Sequence, residues 1–222
     1  MTARIGLGLV SYGRADFRRQ AIEAITQHLL PCLSAFTLVA DVAPVARAKN
    51  MALRALMNAD CEWLFLSEDD VYPTSARAVY GYITACEESG LQHLMFHGQD
   101  DGLNASPLWV RGRVTGWPNY VGAWGIYHRR AIACCGYFDE RFHNAWEHVE
   151  HTTRLGQHGH TISGRVAADA TGSEHWIAVQ PDAIARSVIG TGGPNRVTEG
   201  REGKELWRAV QPDTYRLVFG GG

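Results

Sequence analysis

Cys61-Glu62-Trp63-Leu64-Phe65-Leu66-Ser67-Glu68-Asp69-Asp70-Val71-Tyr72-Pro73 is the stretch that decides how this chain reads. Its apolar run, Trp63 to Leu66, has the continuous hydrophobicity of a strand covered on both faces. The run leads straight into three acids, Glu68, Asp69 and Asp70. Adjacent carboxylates at a strand end repel one another unless a positive charge sits among them. A divalent cation meets that need, because Mg2+ and Mn2+ take hard oxygen ligands and leave positions open for a phosphate. The simpler alternative is a solvated acidic turn before Pro73. The buried strand feeding the acids favours a metal–diphosphate site.

On either side of this strand the pattern alternates. Ile5 to Val10 predicts a first strand ending at Ser11-Tyr12-Gly13, and Asp16 predicts the cap of a helix running to about Leu30, stopped by Pro31. Phe36 to Ala40 predicts a second strand closed by Asp41; Pro44 opens a second helix with Val45, Leu53, Leu56 and Met57 on its apolar face. After the acids, Thr74 to Cys86 predicts a helix and Leu94 to Phe96 a short strand. This order predicts an α/β fold with a doubly wound, mostly parallel central sheet flanked by helices, in which ligands bind beyond the carboxyl ends of the strands. Ser11 to Arg14, Asp41 and Glu68 to Asp70 all fall at such ends.

From Gly98 to Asn119 regular pattern disappears, which points to a functional loop or to unrecognised strands. Tyr120 to Tyr127 then predicts a strand, Arg129 to Cys135 a helix closed by Gly136, Glu147 to Gln157 a helix, and Thr161 to Val166 a strand. The Gly-, Pro- and charge-rich tail from Gly190 reads as a flap, an acceptor-binding element or a disordered end. The expected organisation is one domain over 1–189, with a first half of about 1–97 and a second of about 98–189, followed by a tail over 190–222.

Composition narrows the class. With 222 residues, 45% hydrophobic and 20% charged, the chain can bury a real core. A formal net charge of −2 gives no push towards nucleic acid or anionic membrane, although Arg14, Arg18 and Arg19 cluster locally. No segment approaches the roughly 18 apolar residues of a membrane span, and the start turns polar too soon for a signal peptide. Five cysteines, two of them adjacent at Cys134 and Cys135, argue for reduced thiols and a cytoplasmic setting rather than a disulfide framework. Gly6-Leu7-Gly8 is a poor dinucleotide fingerprint, since the third glycine slot holds Ser11; glycines within a buried strand mark close packing instead.

A distributed pattern is more specific. Ala46-Arg47-Ala48-Lys49-Asn50 precedes the acid-tipped strand, and a second block follows: Gly122-Ala123-Trp124-Gly125, Arg129-Arg130, Gly136-Tyr137-Phe138-Asp139-Glu140-Arg141, then Trp146-Glu147-His148-Val149-Glu150 and Arg154. In order and spacing, over about residues 4–165, this resembles the GT-A-type glycosyltransferases, and within them the large inverting family 2-like group of nucleotide-sugar transferases. The resemblance implies that Asp41 binds base or ribose, with Ser11 and Arg14 lining the same pocket. It sets Arg47, Lys49 and Asn50 at the donor site, Lys49 standing where the family has Arg. Glu68-Asp69-Asp70 fills the Asp-x-Asp slot as Glu-x-Asp, with Asp70 as direct metal ligand and Glu68 and Asp69 beside the donor.

An inverting transfer needs a general base for the acceptor hydroxyl. Glu147, His148 and Glu150 are the candidates. Helical spacing groups Glu147 with Glu150 and His151 and favours Glu147, while His148 fills the family's customary Asp position. Some GT-A enzymes take a third metal ligand from a late His, which here implies His175. Trp109, Trp117, Trp124 and Trp146 are candidates for sugar stacking or for core. The expected activity is a hexosyltransferase-like transfer, inverting and dependent on Mn2+ or Mg2+, from a nucleotide-diphosphate sugar (a UDP-sugar favoured) to an acceptor that the sequence does not name: saccharide, protein, lipid-linked sugar or modified DNA base. The alternatives are a sugar-nucleotide-binding or degenerate transferase module without turnover, and a sugar-1-phosphate nucleotidyltransferase.

Overall fold

The structure is a computed structural model that describes residues 3–98, 106–118, 122–143, 145–163, 166–181, 183 and 194–219, with backbone alone at 194–200, 214 and 217–219. Strand β1 (Ile5–Ser11) is buried along its whole length and lies between β2 (Ala35–Ala40) and β3 (Trp63–Glu68), parallel to both. Beyond β3 come β8 (Trp124–His128) and β5 (His93–Met95), completing a five-stranded sheet in the order β2-β1-β3-β8-β5. Strand β8 runs antiparallel to both neighbours, so β5 shares the direction of β1, β2 and β3. The expected α/β architecture with a mostly parallel sheet is what the chain adopts.

Alternation along the strands divides the core between the two sheet faces. Phe65, Trp124 and Ile126 pack with Leu7, Leu9, Ile25 and Tyr82 beneath α1 (Ala15–His28) and α3 (Arg77–Ser89). Leu64, Leu66 and Tyr127 pack with Leu53, Leu56 and Ile132 beneath α2 (Val45–Asn58) and α4 (Arg129–Cys135). Gly6 and Gly8 allow α2 to lie this close: an added Cβ would come within 2.7 Å of Cys61 Sγ and of Ala52 Cβ respectively. These glycines serve packing, as their place inside the strand suggests.

Several boundaries move. Arg14, not Asp16, holds the N-cap position of α1, without a side-chain cap bond; Asp16 sits in the first turn, where its charge still meets the positive helix end. Helix α3 begins at Arg77, later than expected, because Val71–Pro73 is taken by a short strand, β4, paired with β10 (Ile177–Val179). It runs on to Gly90, whose left-handed φ of 74° closes it.

The irregular region holds a hairpin, β6 (Trp109–Arg111) and β7 (Val114–Trp117), with 99–105 and 119–121 outside the described residues. Its third strand, β9, falls at Ala167–Ala170, downstream of the strand expected over Thr161–Val166. Residues 161–163 form no strand, and the Thr161 hydroxyl bonds the His93 carbonyl instead. Helix α5 (Glu147–Gln157) occupies its expected span.

The tail from 194 forms two helices, α6 (Pro194–Val210) and α7 (Pro212–Phe219), while 184–193 lie outside the described residues. Trp207 of α6 is fully buried against Phe142 and Val149, with Trp146, Leu206 and Tyr215 around it. Among the described residues, no helix is long and apolar enough to cross a membrane.

Candidate active site

The carboxyl edge of the parallel strands gathers most of the residues singled out from sequence. The Ser11 hydroxyl, at the end of β1, donates to Asp69 Oδ2 at 2.6 Å. The Arg14 guanidinium pairs with both Asp69 and Asp70. Asp41, just past β2, accepts from the Gly13 amide at 2.9 Å and from Arg18 at 3.0 Å, so it braces the loop that carries Arg14. Together these contacts hold the β1–α1 turn against the acids.

Lys49 supplies the second positive charge. Buried on α2, its Nζ lies 2.6 Å from Glu68 Oε1 and 2.9 Å from Glu147 Oε1. It therefore joins the tip of β3 to the first residue of α5. Burial works against its charge, but the Glu68 and Glu147 carboxylates overcome this and hold the lysine above its ordinary pKa. Burial likewise opposes the charge on Glu147, and Lys49 followed by His148 reverses the balance, keeping that carboxyl well below its ordinary range.

The acids at the strand tip are less fully compensated. Burial raises Asp69 despite Ser11 and Arg14. Burial, with the Glu68 charge adding, pushes Asp70 up to about 7 against the pull of Arg14. The donor set is all oxygen and retains excess negative charge, which fits a hard divalent cation.

On α5 the three base candidates separate. Glu147 Oε1 is shared by Lys49 and by His148 Nδ1, 3.1 Å away, while its Oε2 is buried without a hydrogen-bond partner among the described residues. His148 stays partly exposed and packs on Gly122, where a Cβ would meet its ring at 2.9 Å. Glu150 turns away: fully buried, it holds Arg154 through two bonds of 2.8 and 3.0 Å, and Arg154 continues to the carbonyls of Tyr137 and Cys135. Glu150 thus fastens α5 to the 135–137 turn and is not at the carboxyl edge, although helical spacing grouped it with Glu147. Side chains three apart share a face but need not share a partner.

Other expectations also change. The Asn50 amide is consumed by Phe138 N, Phe138 O and Glu140, each at 2.9 Å, so it clamps α2 to the 136–141 turn rather than facing a nucleotide. Arg47 is exposed on the first turn of α2. His175 is not brought to the acids: its side chain is 78% exposed beside Glu174, and its carbonyl accepts from Thr74. Among the described residues it belongs to no cluster of metal-ligating groups. Trp124 is wholly core, fully buried against Phe65.

One polar pair at this edge was not singled out from sequence. His97 follows β5, and Asp169 Oδ2 lies 2.6 Å from its Nδ1. Asp169 also accepts from the hydroxyls of Tyr82 and Ser173, both at 2.6 Å, and the His97 ring stacks on Trp117 at 3.6 Å. Phe96 and Glu68 bond to Trp124 and Ala123 from opposite sides of β8, so His97 lies two strand spacings, roughly 10 Å, from Glu68. An acid within the small apolar strand Ala-Ala-Asp-Ala was the one hint.

No family model matches the chain, and no curated protein matches it in sequence. Solved structures do match in shape. A mannosyltransferase from Pyrobaculum calidifontis, in complex with GDP-Man and Mn2+, superposes with a TM-score of 0.51 at 14% identity over 72% of this chain and 53% of its own. GalNAc-T7, solved with UDP, GalNAc and Mn2+, gives a TM-score of 0.62 at 8% identity over 96% of this chain and 50% of its own. This is the GT-A fold of glycosyltransferases. A Drosophila β1,4-galactosyltransferase 7 mutant, in complex with manganese, UDP-Gal and xylobiose, shares the GT-A fold at a TM-score of 0.55 and 12% identity, over 87% of this chain and 79% of its own. The chain spans about half the length of the mannosyltransferase and of GalNAc-T7.

Proposed function

We propose that this chain is a glycosyltransferase that moves a sugar from a nucleotide-diphosphate donor to an acceptor hydroxyl, with inversion and with a divalent cation. The observation that carries the reading is the convergence on Lys49, which ties the acid-tipped strand to Glu147 and, through it, to His148 at one edge of a GT-A sheet. Asp69 and Asp70 would hold Mn2+ or Mg2+, with Glu68 beside them. When bound, the cation offsets the charge that develops on the leaving diphosphate. Arg14 and the loop braced by Asp41 face the same end and suit the phosphates and the nucleoside.

His148 is the base this geometry favours. Glu147 is a weak base because Lys49 depresses it, and its second oxygen has no exposed surface. A carboxylate that binds Nδ1 of a histidine fixes the ring and leaves Nε2 to take a proton, the logic of an oriented base. Glu147 is then a positioning residue anchored by Lys49, and His148 removes the proton from the attacking hydroxyl. This departs from the helical-spacing argument for Glu147 and agrees with the slot that His148 fills in the family pattern.

The test is a thermal-shift screen of UDP-, GDP-, CMP- and dTDP-sugars with Mn2+ and with EDTA. Stabilisation by one nucleotide class in Mn2+ alone supports the donor site, and no response to any of them sinks the reading. Donor binding without transfer to any acceptor would favour a binding module, and release of pyrophosphate from a nucleoside triphosphate would favour a nucleotidyltransferase. For the base, His148→Ala should keep donor binding and lose transfer, with partial rescue by added imidazole. Normal transfer by that variant would return the role to Glu147.

A further inference from the structure

Away from the carboxyl edge, Cys134, Cys135 and His158 come together, one ligand atom of each lying within 4.8 Å of the other two. The two cysteines are the last residues of α4, and His158 is the residue that closes α5, so two helix C-termini meet here. Helix C-termini carry partial negative charge and favour a cation. Cys134 and His158 are exposed and Cys135 is half-buried, so a metal ion has access.

The ligand chemistry is unlike that of the acid site. Two sulfurs and an imidazole suit a soft or borderline d10 cation and are poor partners for Mg2+ or Mn2+. Around tetrahedral zinc, with bonds of about 2.3 Å to sulfur and about 2.0 Å to nitrogen, ligand atoms sit roughly 3.5–4 Å apart. Side-chain rotation of exposed Cys134 and His158 spans the remaining distance. We propose that Cys134, Cys135 and His158 form a binding site for a thiophilic divalent cation, Zn2+ in the first instance, independent of the acids at the strand tip.

Binding converts both thiols to thiolates, releases their protons to solvent and leaves the oxidation state of the metal unchanged. Three protein ligands leave a fourth position for water. The ion would add a second tie between α4 and α5, at the end of α5 opposite Glu147 and His148. The first tie already exists, since Arg154 of α5 donates to the Cys135 carbonyl. The site therefore stiffens the helix that carries the proposed base without touching the reaction.

Full-length protein, reduced and freed of metal, would be titrated with Co2+ and then Zn2+. The expected result is a thiolate-to-cobalt charge-transfer band that Zn2+ abolishes, and a higher unfolding temperature with Zn2+. Cys134→Ser and His158→Gln should each weaken Zn2+ binding by about tenfold or more, given that disturbing only a ligand's supporting shell costs 10–100-fold. Both side chains are exposed, and circular dichroism would verify that the variants fold. Asp70→Asn should keep the band, which separates this site from the acids and from the proposed transferase reaction. No band in the wild-type protein, or Zn2+ affinity unchanged when Cys134 and Cys135 are both serine, would overturn the proposal.

Discussion

Removing the Lys49 ammonium leaves Glu68 and Glu147 facing one another with no charge between them, and Glu147 has almost no access to water. Deleting one partner of such a buried pair costs about 3–5 kcal/mol, so Lys49→Met should lower stability by that order in urea denaturation. The pH dependence of the pair has two sides. Lys49 is raised, so its contribution is complete below the unfolded lysine value and is lost only as pH climbs through the folded one. Glu147 is lowered, so its contribution persists above the unfolded value and disappears only under strong acid. The pair is thus indifferent to pH near neutrality. Asp70 is not. Between its ordinary 3.8 and about 7 the folded chain keeps a proton that the unfolded chain has released, so stability falls as pH rises through that window. Asp70→Asn should flatten this slope, leaving the part contributed by Asp69, which burial also raises. In the proposed metal site Mn2+ needs the ionised Asp70, so its affinity should rise through the same window. Urea midpoints and Mn2+ titrations across the window check both, and a slope undiminished in the variant would assign it elsewhere.

At the scale of elements, Gly8 sets how near α2 approaches β1, and α2 carries Lys49. Gly8→Ala puts a Cβ 2.7 Å from Ala52 Cβ, a group fixed to the helix backbone that cannot rotate away. Overpacking of this kind costs about 1–3 kcal/mol. It should also shift α2 outward and weaken donor binding, whereas an equally destabilising change on the α1 face should not; the two variants are compared by denaturation and by nucleotide affinity. This also marks how far the sequence reaches. Strand–helix alternation up to α3 is legible because burial on a sheet and on a helix face imposes different periods. Hairpin β6–β7 is not, because Trp109 to Trp117 mixes arginines and glycines into strands too short to show alternation. Strand β9 is not, because its alanines carry no β preference. The acids were legible as a strand ending in charge, but which charges pair across the site was not: Arg14 is 55 residues from Asp69, and Lys49 is 98 from Glu147. Local pattern carries no trace of pairings at that separation. His97 with Asp169 was hidden for the same reason.

For the molecule as a whole, the C-terminal helices decide whether the two sides of the site behave as one. The strands and helices that present Arg14, Lys49 and the acids have cores on both sheet faces, built from residues before 184. The start of α5 rests on a third cluster, in which Trp207 fills the space between Phe142 and Val149, its ring centroid 6.3 Å from that of Trp146. Trp207→Ala empties that space, and truncations of this size cost about 3–5 kcal/mol. The loss should fall unevenly. Trp146 precedes Glu147 in a left-handed conformation with φ 72°, and its ring packs in the cluster that Trp207 fills. Freed of Trp207, the Trp146 turn should relax and carry Glu147 and His148 with it. Donor binding in Mn2+ should then stay within about threefold of the wild type, a change of less than 1 kcal/mol, while transfer falls by about tenfold or more. Calorimetric donor titration beside a transfer assay reads the two separately. Equal loss of both would mean that α6 supports the whole sheet. Loss of neither would mean that α5 holds its own geometry through Arg154 and Glu150.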